Sequence, residues 1–369
     1  MKILWFTWKD RKHPQAGGAE TVNEELAKRL VRDGHEVIFV VAGFPGCAKE
    51  ESIDGFKVIR VGGRYSVYWK AFRYYRKHLR EWADLIVEEV NTMPFFTKLY
   101  TRGERTMYVF YQLCREIWFY QFPFPFNYVG YISEPLYLRY LAKTQCITLT
   151  ESESTKQDLT KYGFNKDLVY TFSVGIEIER LHSIEGIEKY TEPTMLSLGA
   201  IREMKRTDHQ IKAFELAKKS IPNLKLKIAG SGSGRYFKKV QKMIQLSEYR
   251  NDIDYLGRIS LQDKILLMQK SHFITVTSVK EGWGLIVTES NSQGTPAIVY
   301  NVDGLRDSVR NNETGLISIN NTPESLAIAI VFLFHDADNY ARIQKNAWEW
   351  SKEITFENGY DQFKKSINS

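Results

Sequence analysis

Ile3-Leu4-Trp5-Phe6, a polar loop reaching Gly17-Gly18, then Val22, Leu26, Leu30 and Val31 on one helical face up to Gly34, and finally Val37 to Val41, read as strand, helix, strand. The short apolar run after Lys2 suits a buried strand. Gly34 falls at the position just past the helix end, where the left-handed conformation stops a helix. Two buried strands joined by a helix form a parallel βαβ unit.

The alternation continues outward. Leu85-Ile86-Val87, Met107 to Tyr111 and Ile147-Thr148-Leu149 are further strand candidates. It restarts after residue 190 with Met195-Leu196-Ser197-Leu198. Thr207 to Gln210 predicts a capping box opening a helix with Ile211, Phe214 and Ala217 on one face. Leu224 to Ala229 ends in Gly230-Ser231-Gly232-Ser233-Gly234, Ser260 with Asp263 predicts another cap, and Phe273 to Thr277 and Ala297 to Tyr300 complete the set. The fold class is α/β: two doubly wound parallel-sheet domains in tandem, 1–176 and 177–352. The hinge is expected at Ser173-Val174-Gly175-Ile176 and the polar stretch to Pro193. Trp348, Trp350 and Phe356 lie at helical spacing, giving a terminal helix that either bridges both domains or caps the second. Residues from about 353 to 369 are the part expected to pack back on the first.

At about 150 residues per domain, 369 residues also suggest two domains. With 43% hydrophobic and 26% charged residues the chain is ordinary for a globular protein, which excludes disorder and collagen. Cys47, Cys114 and Cys146 cannot close a disulfide framework and are read as reduced cytosolic thiols. The apolar stretch after Lys2 is too short for a signal peptide, and no apolar run reaches the roughly 18 residues that span a bilayer. The expected location is cytoplasmic, with the inner membrane face open as a peripheral site. A net charge of +7 favours anionic partners. Nucleic acid is not among them, because the basic residues are spread along the chain and no reader motif occurs.

The strongest chemical signal is Glu281-Gly282-Trp283-Gly284-Leu285-Ile286-Val287-Thr288-Glu289. In one continuous helix the two glutamates would lie about 80° apart in direction and about 12 Å apart along the axis. Gly282 and Gly284 suit a tight turn instead, so the helix is expected to start near Leu285. Glu281 then sits in front of the helix and Glu289 roughly one turn inside it. The amides of Gly284, Leu285 and Ile286 point outward between them, and such groups bind anions. This arrangement suits a sugar diphosphate; an ordinary strand-to-helix turn with a capping glutamate is the plainer reading. Arg202-Glu203-Met204-Lys205-Arg206 follows the first strand of the second half, at the carboxyl end where ligands bind in such folds. Cations there stabilise a diphosphate as ligand and as leaving group. Gly17-Gly18, before the first helix, would let backbone approach a phosphate.

Together these features resemble a family 4 glycosyltransferase (glycosyl transferases group 1) of the GT-B fold. Gly17-Gly18-Ala19-Glu20, Gly34-His35-Glu36-Val37, Ser197-Leu198-Gly199, Leu256-Gly257-Arg258 and the paired glutamates fall where that family has them. The resemblance implies two Rossmann-like domains facing across a cleft. It implies retaining hexosyl transfer from a UDP- or GDP-linked sugar, with no cofactor and no metal, to a saccharide or lipid-linked saccharide acceptor. By position, Glu281 would contact the donor sugar, Glu289 the ribose, and Lys205 the departing diphosphate. The amides of Gly18 and of Gly284 to Ile286 would assist, and Arg258-Ile259 would border the base. Two positions depart from the family. Ala200 stands where an arginine is usual, so Arg202 or Arg206 would have to supply the charge. Tyr111 stands where similar enzymes have a histidine, and with an ordinary pKa near 10 it is a poor base at neutral pH. These departures motivate a second reading, a sugar-nucleotide binder weak or inactive in transfer.

Asp252-Ile253-Asp254 resembles the metal-binding DxD of another glycosyltransferase fold and is read as solvated charge flanking a strand. The seven histidines show no metal-ligand spacing; His13 alone is placed by the cleft. The run Trp118 to Phe126, followed by Tyr128, Tyr131, Tyr137 and Tyr140, is open between three uses. These are an acceptor surface near Trp118 and Tyr111, membrane contact aided by Arg73, Arg76, Lys77 and Arg80, and core packing.

Overall fold

A computed structural model of the chain describes residues 1–368. The chain forms two compact units: residues 1–175 together with those from Phe356 onward, and Ile176–Thr355.

The first unit is built on strands β1 (Lys2–Phe6), β2 (Glu36–Val41), β3 (Glu50–Ile53), β4 (Phe56–Arg60), β5 (Leu85–Glu89), β6 (Arg105–Phe110), β7 (Ile147–Thr150) and β8 (Val169–Thr171). They run β3-β4-β2-β1-β5-β6-β7-β8 across one sheet, parallel except for the β3–β4 hairpin. Helices α1 (Gly18–Arg32), α2 (Val67–Tyr74), α3 (Trp118–Gln121), α4 (Phe126–Lys143) and α5 (Glu153–Lys161) belong to this unit. Ile3 to Phe6 are fully buried, as a central parallel strand covered on both faces requires. Gly34, at φ 84°, ends α1 as expected, and its N–H donates to Val31 O at 2.9 Å.

The second unit has six parallel strands: β9 (Thr194–Leu198), β10 (Lys225–Ala229), β11 (Ile253–Gly257), β12 (Phe273–Val276), β13 (Ala297–Val299) and β14 (Gly315–Ile317). Their order is β11-β10-β9-β12-β13-β14, so β9 is flanked by β10 on one side and β12 on the other. The gap at the carboxyl ends of β9 and β12 is the topological switch point where doubly wound folds bind ligands. Helices α6 (Thr207–Lys218), α7 (Gly234–Leu246), α8 (Leu261–Lys270), α9 (Leu285–Ser292), α10 (Pro323–His335) and α11 (Ala337–Ser351) surround the sheet. Ser260 caps α8, accepting from the Asp263 N–H at 3.1 Å. The capping box expected at Thr207 does not form. Arg206, in the left-handed region at φ 52°, is the cap residue, and the Gln210 side chain reaches away to Thr275 O and Thr277 Oγ1.

The aromatic spacing near the C-terminus resolves into two helices instead of one. Trp348 and Trp350 lie on α11 in the second unit, where the Trp348 indole donates to Leu181 O at 3.0 Å. Phe356 opens α12 (Phe356–Asn368), which packs in the first unit: Phe363 stacks on Trp5 with ring centres 5.6 Å apart. A side chain at Gly359 would strike Ser173 O, which explains the glycine there. Among the described residues no helix is long and apolar enough to cross a membrane.

Candidate active site

The loops leaving β9 and β12 meet at the switch point. After β9 the chain turns through a short helical stretch, Glu203–Lys205, and enters α6. After β12 it runs through Thr277 and Ser278 to Glu281 and enters α9 at Leu285. Backbone ties fix the two loops together: Val279 N donates to Met204 O at 2.8 Å, and Thr277 Oγ1 to Lys205 O at 2.9 Å. On this frame Lys205 Nζ and the Glu281 carboxylate form an ion pair, and Ser278 Oγ donates to the same carboxylate oxygen. Both side chains are partly open, 29% exposed for Lys205 and 19% for Glu281. The loop after β13 backs the pair. Glu281 N donates to Asp303 O at 3.1 Å, and Gly304 lies so close to the Glu281 carbonyl that any Cβ there would clash with it. Ser278, Asp303 and Gly304 were not singled out by the sequence, although Asp303-Gly304 carries a turn signal.

Helix α9 starts at Leu285, after Gly284 in the left-handed region at φ 93°. A Cβ at Gly284 would come within 2.8 Å of Leu305. No side chain caps this end, and the first-turn amides of Leu285 and Ile286 have no carbonyl within the helix to receive them. One turn further, Glu289 pairs with Lys264 of α8 at 2.7 Å. Burial pushes the Glu289 carboxyl up from its ordinary value, and Lys264 opposes that shift. Of the three arginines expected to face the diphosphate or base, Arg206 turns toward Tyr300, 6.0 Å from its ring centre. Arg202 and Arg258 are exposed at the ends of β9 and β11, and Ile259 beside Arg258 packs on the domain core. Asp252 pairs with Lys218 and Lys225, and Asp254 with Lys227.

In the first unit, Gly17 and Gly18 open α1 and are exposed, but the Gly17 N–H is already taken by the Glu20 carboxylate at 2.6 Å. Glu20 also pairs with Lys9 at 3.1 Å. His13 packs edge-on against Phe44, and burial lowers its pKa. Tyr111 is buried and donates to Asn23 Oδ1 at 2.6 Å. Trp118 lies under α4, its indole N–H on Glu134 at 3.0 Å and its ring where a side chain at Gly130 would fall.

A buried carboxyl that the sequence did not flag joins these residues. Glu89, at the end of β5, accepts from Thr7 Oγ1 at 2.6 Å and from Asn23 Nδ2, the same Asn23 that receives Tyr111. Its other oxygen has no partner. Burial, with the Glu20 charge nearby, pushes the Glu89 carboxyl up to about 7, against the weaker pull of Lys9. The native state therefore holds this proton where the unfolded chain, near 4.5, has lost it. Stability falls as pH rises between those values, by at most about 1.4 kcal/mol per pH unit, and is level outside them. Glu89→Gln is expected to flatten that part of a plot of melting temperature against pH. An unchanged slope in the variant would remove Glu89 as its source.

Two parallel-sheet units, each wound on both faces, with a cation–carboxylate pair at a switch point, define an enzyme of the GT-B class. Solved structures carry the same fold. Sucrose-phosphate synthase from Thermosynechococcus elongatus matches with a TM-score of 0.79 at 17% identity, over 100% of this chain and 98% of that one. Anabaena HepE in complex with UDP-glucose matches with a TM-score of 0.70 at 15% identity, over 100% and 99%. The model of Glycosyltransferase Family 4 matches residues 16–180, and that of Glycosyl transferases group 1 matches residues 179–350. The chain belongs to the family 4 glycosyltransferases, glycosyl transferases group 1. An uncharacterized glycosyltransferase of Haemophilus influenzae is 22% identical over 95% of this chain and 96% of its own length.

Proposed function

We propose that this glycosyltransferase moves a hexosyl group from a UDP- or GDP-linked sugar to a saccharide or lipid-linked saccharide, with retention of anomeric configuration, in cytoplasmic glycan synthesis. The observation that carries the reading is the Lys205–Glu281 pair, held at the switch point on the loop that leads into the uncapped first turn of α9. A donor entering there replaces each member's partner. The diphosphate takes Lys205 and the amides of Leu285 and Ile286, with Arg202 and Arg206 as further cations. The sugar hydroxyls take Glu281, and the ribose takes Glu289. Arg258 and Ile259 border the base. The HepE complex holds UDP-glucose on a similar fold, which supports this donor class. In this reading cationic side chains and amides meet the diphosphate charge, so turnover persists in EDTA.

A panel of nucleotide sugars read by thermal shift tests the donor. The true donor at about 100 times its dissociation constant is expected to add roughly 2.7 kcal/mol of stability. No shift with any UDP- or GDP-sugar would overturn the reading. Tyr111, whose hydroxyl is committed to Asn23, favours the second reading of a binder without transfer. Donor stabilisation with no acceptor-dependent release of nucleotide would select it, and the anomeric proton coupling of a product, read by NMR, would decide retention.

A further inference from the structure

Helix α4 is turned inside out for a surface helix. Its side of the first unit that faces solvent carries Phe126, Tyr128, Val129, Ile132 and Leu136, each more than half exposed. At 100° per residue these five lie within an arc of about 160°. Arg139 and Lys143, also exposed, continue the same stripe toward the helix C-terminus. The helix has one acid, Glu134, and it points the other way. Glu134 is buried, accepting from the backbone N–H groups of Cys114 and Arg115, both at 2.7 Å, and from the Trp118 indole. Solvent-facing apolar stripes of this size mark a site of docking.

The neighbouring elements extend the surface and fix its sign. Phe119 of α3 packs on Tyr128 and Tyr131 of α4. The Arg64 guanidinium lies 5.6 Å from the Phe122 ring centre, just past α3, and 5.4 Å from Tyr65, just before α2. From Val67 to Leu79 the chain then carries Lys70, Arg73, Arg76, Lys77 and His78 and no acid. Lys70, Arg73, Lys77 and His78 line a concavity of about 350 Å³. An apolar helix face beside a segment whose cations outnumber the nearby acids Glu50, which accepts from Tyr74, and Glu116, exposed just before α3, fits a lamella of apolar chains topped by anionic headgroups. A second copy of the chain fits it poorly, because a two-fold contact would set these cations against their own equivalents.

We propose that the first unit docks on an anionic phospholipid surface, with the exposed face of α4 entering the headgroup layer and the Lys70–His78 segment holding lipid phosphates. The inference rests on this surface alone and is independent of which sugar is transferred.

Sedimentation of the full chain with vesicles tests it. Binding is expected to be at least about tenfold tighter to phosphatidylcholine mixed with phosphatidylglycerol than to phosphatidylcholine alone. Ile132→Glu combined with Leu136→Glu is expected to weaken binding to the mixed vesicles at least tenfold, with the melting temperature and the donor-induced thermal shift unchanged. Lys70→Gln with Arg73→Gln and Lys77→Gln is expected to erase the preference for anionic lipid. Failure to sediment with either vesicle, equal binding to both, or wild-type binding by the α4 variant would each overturn the proposal. So would a wild-type dimer that the α4 variant splits without any lipid binding.

Discussion

Glu281→Gln is expected to lower kcat/KM for sugar transfer by about two to four orders of magnitude while leaving the melting temperature within a degree or two of wild type. The two parts of the prediction come from different terms. In the free protein the carboxylate meets Lys205 and Ser278 in a partly open setting, and an exposed ion pair contributes only about 0–1 kcal/mol. The loop itself is held by backbone, through the Glu281 N–H on Asp303 O and the close approach of Gly304, and glutamine keeps both. In the donor complex the proposed contacts are two hydroxyls on one carboxylate. Charge-assisted bonds of that kind contribute roughly 1.5–3 kcal/mol each. If they tighten as positive charge develops on the sugar, the loss falls on kcat more than on KM. A variant that loses stability in step with activity would make Glu281 a structural residue. One that transfers sugar at the wild-type rate would remove it from the reaction.

The parts of this site that were legible from residues alone are those made by local geometry. Gly282 and Gly284 exclude a continuous helix, so the start at Leu285 could be read, and Lys205 could be placed because it follows an apolar run that ends at a glycine. What was not legible depends on elements distant in sequence. Lys205 meets Glu281 only because β12 lies beside β9, and the Tyr300–Arg206 contact needs β13 beside β12. Lys264 reaches Glu289 from another helix. The failed capping box at Thr207 has the same origin: Gln210 finds a better partner on the neighbouring strand than on its own helix end. The three-residue strands β8 and β14 carry too few residues for a period to show. The β3–β4 hairpin had its turn signal in Asp54-Gly55, but strand β3, Glu-Glu-Ser-Ile, is an edge too polar to read as a strand. The aromatics around Trp118 were ambiguous because α4 is apolar on both faces, and periodicity cannot tell inside from outside in such a helix. The structure divides them, with Trp118 and Tyr137 inward and Phe126 and Tyr128 outward.

Lys205→Met is expected to reduce kcat by about 10²–10³-fold, with a smaller change in KM for the donor. Removal of a single group that meets charge developing in the transition state costs on that scale, roughly 2.7–4 kcal/mol. The charge in question is that of the departing diphosphate, so the loss should shrink when the leaving group needs less help. A glycosyl donor with a more acidic leaving group is expected to recover part of the rate in Lys205→Met and little in Glu281→Gln. Lys205→Arg keeps the cation but not its shape and should fall between. The double variant separates shared from independent action. Lys205 and Glu281 hold each other in place before the donor arrives, so removing either also frees the other to move. The combined loss is therefore expected to be smaller than the product of the two single losses. A strictly multiplicative result would mean that the two residues act independently, and no difference between leaving groups would mean that Lys205 takes no part in departure of the diphosphate.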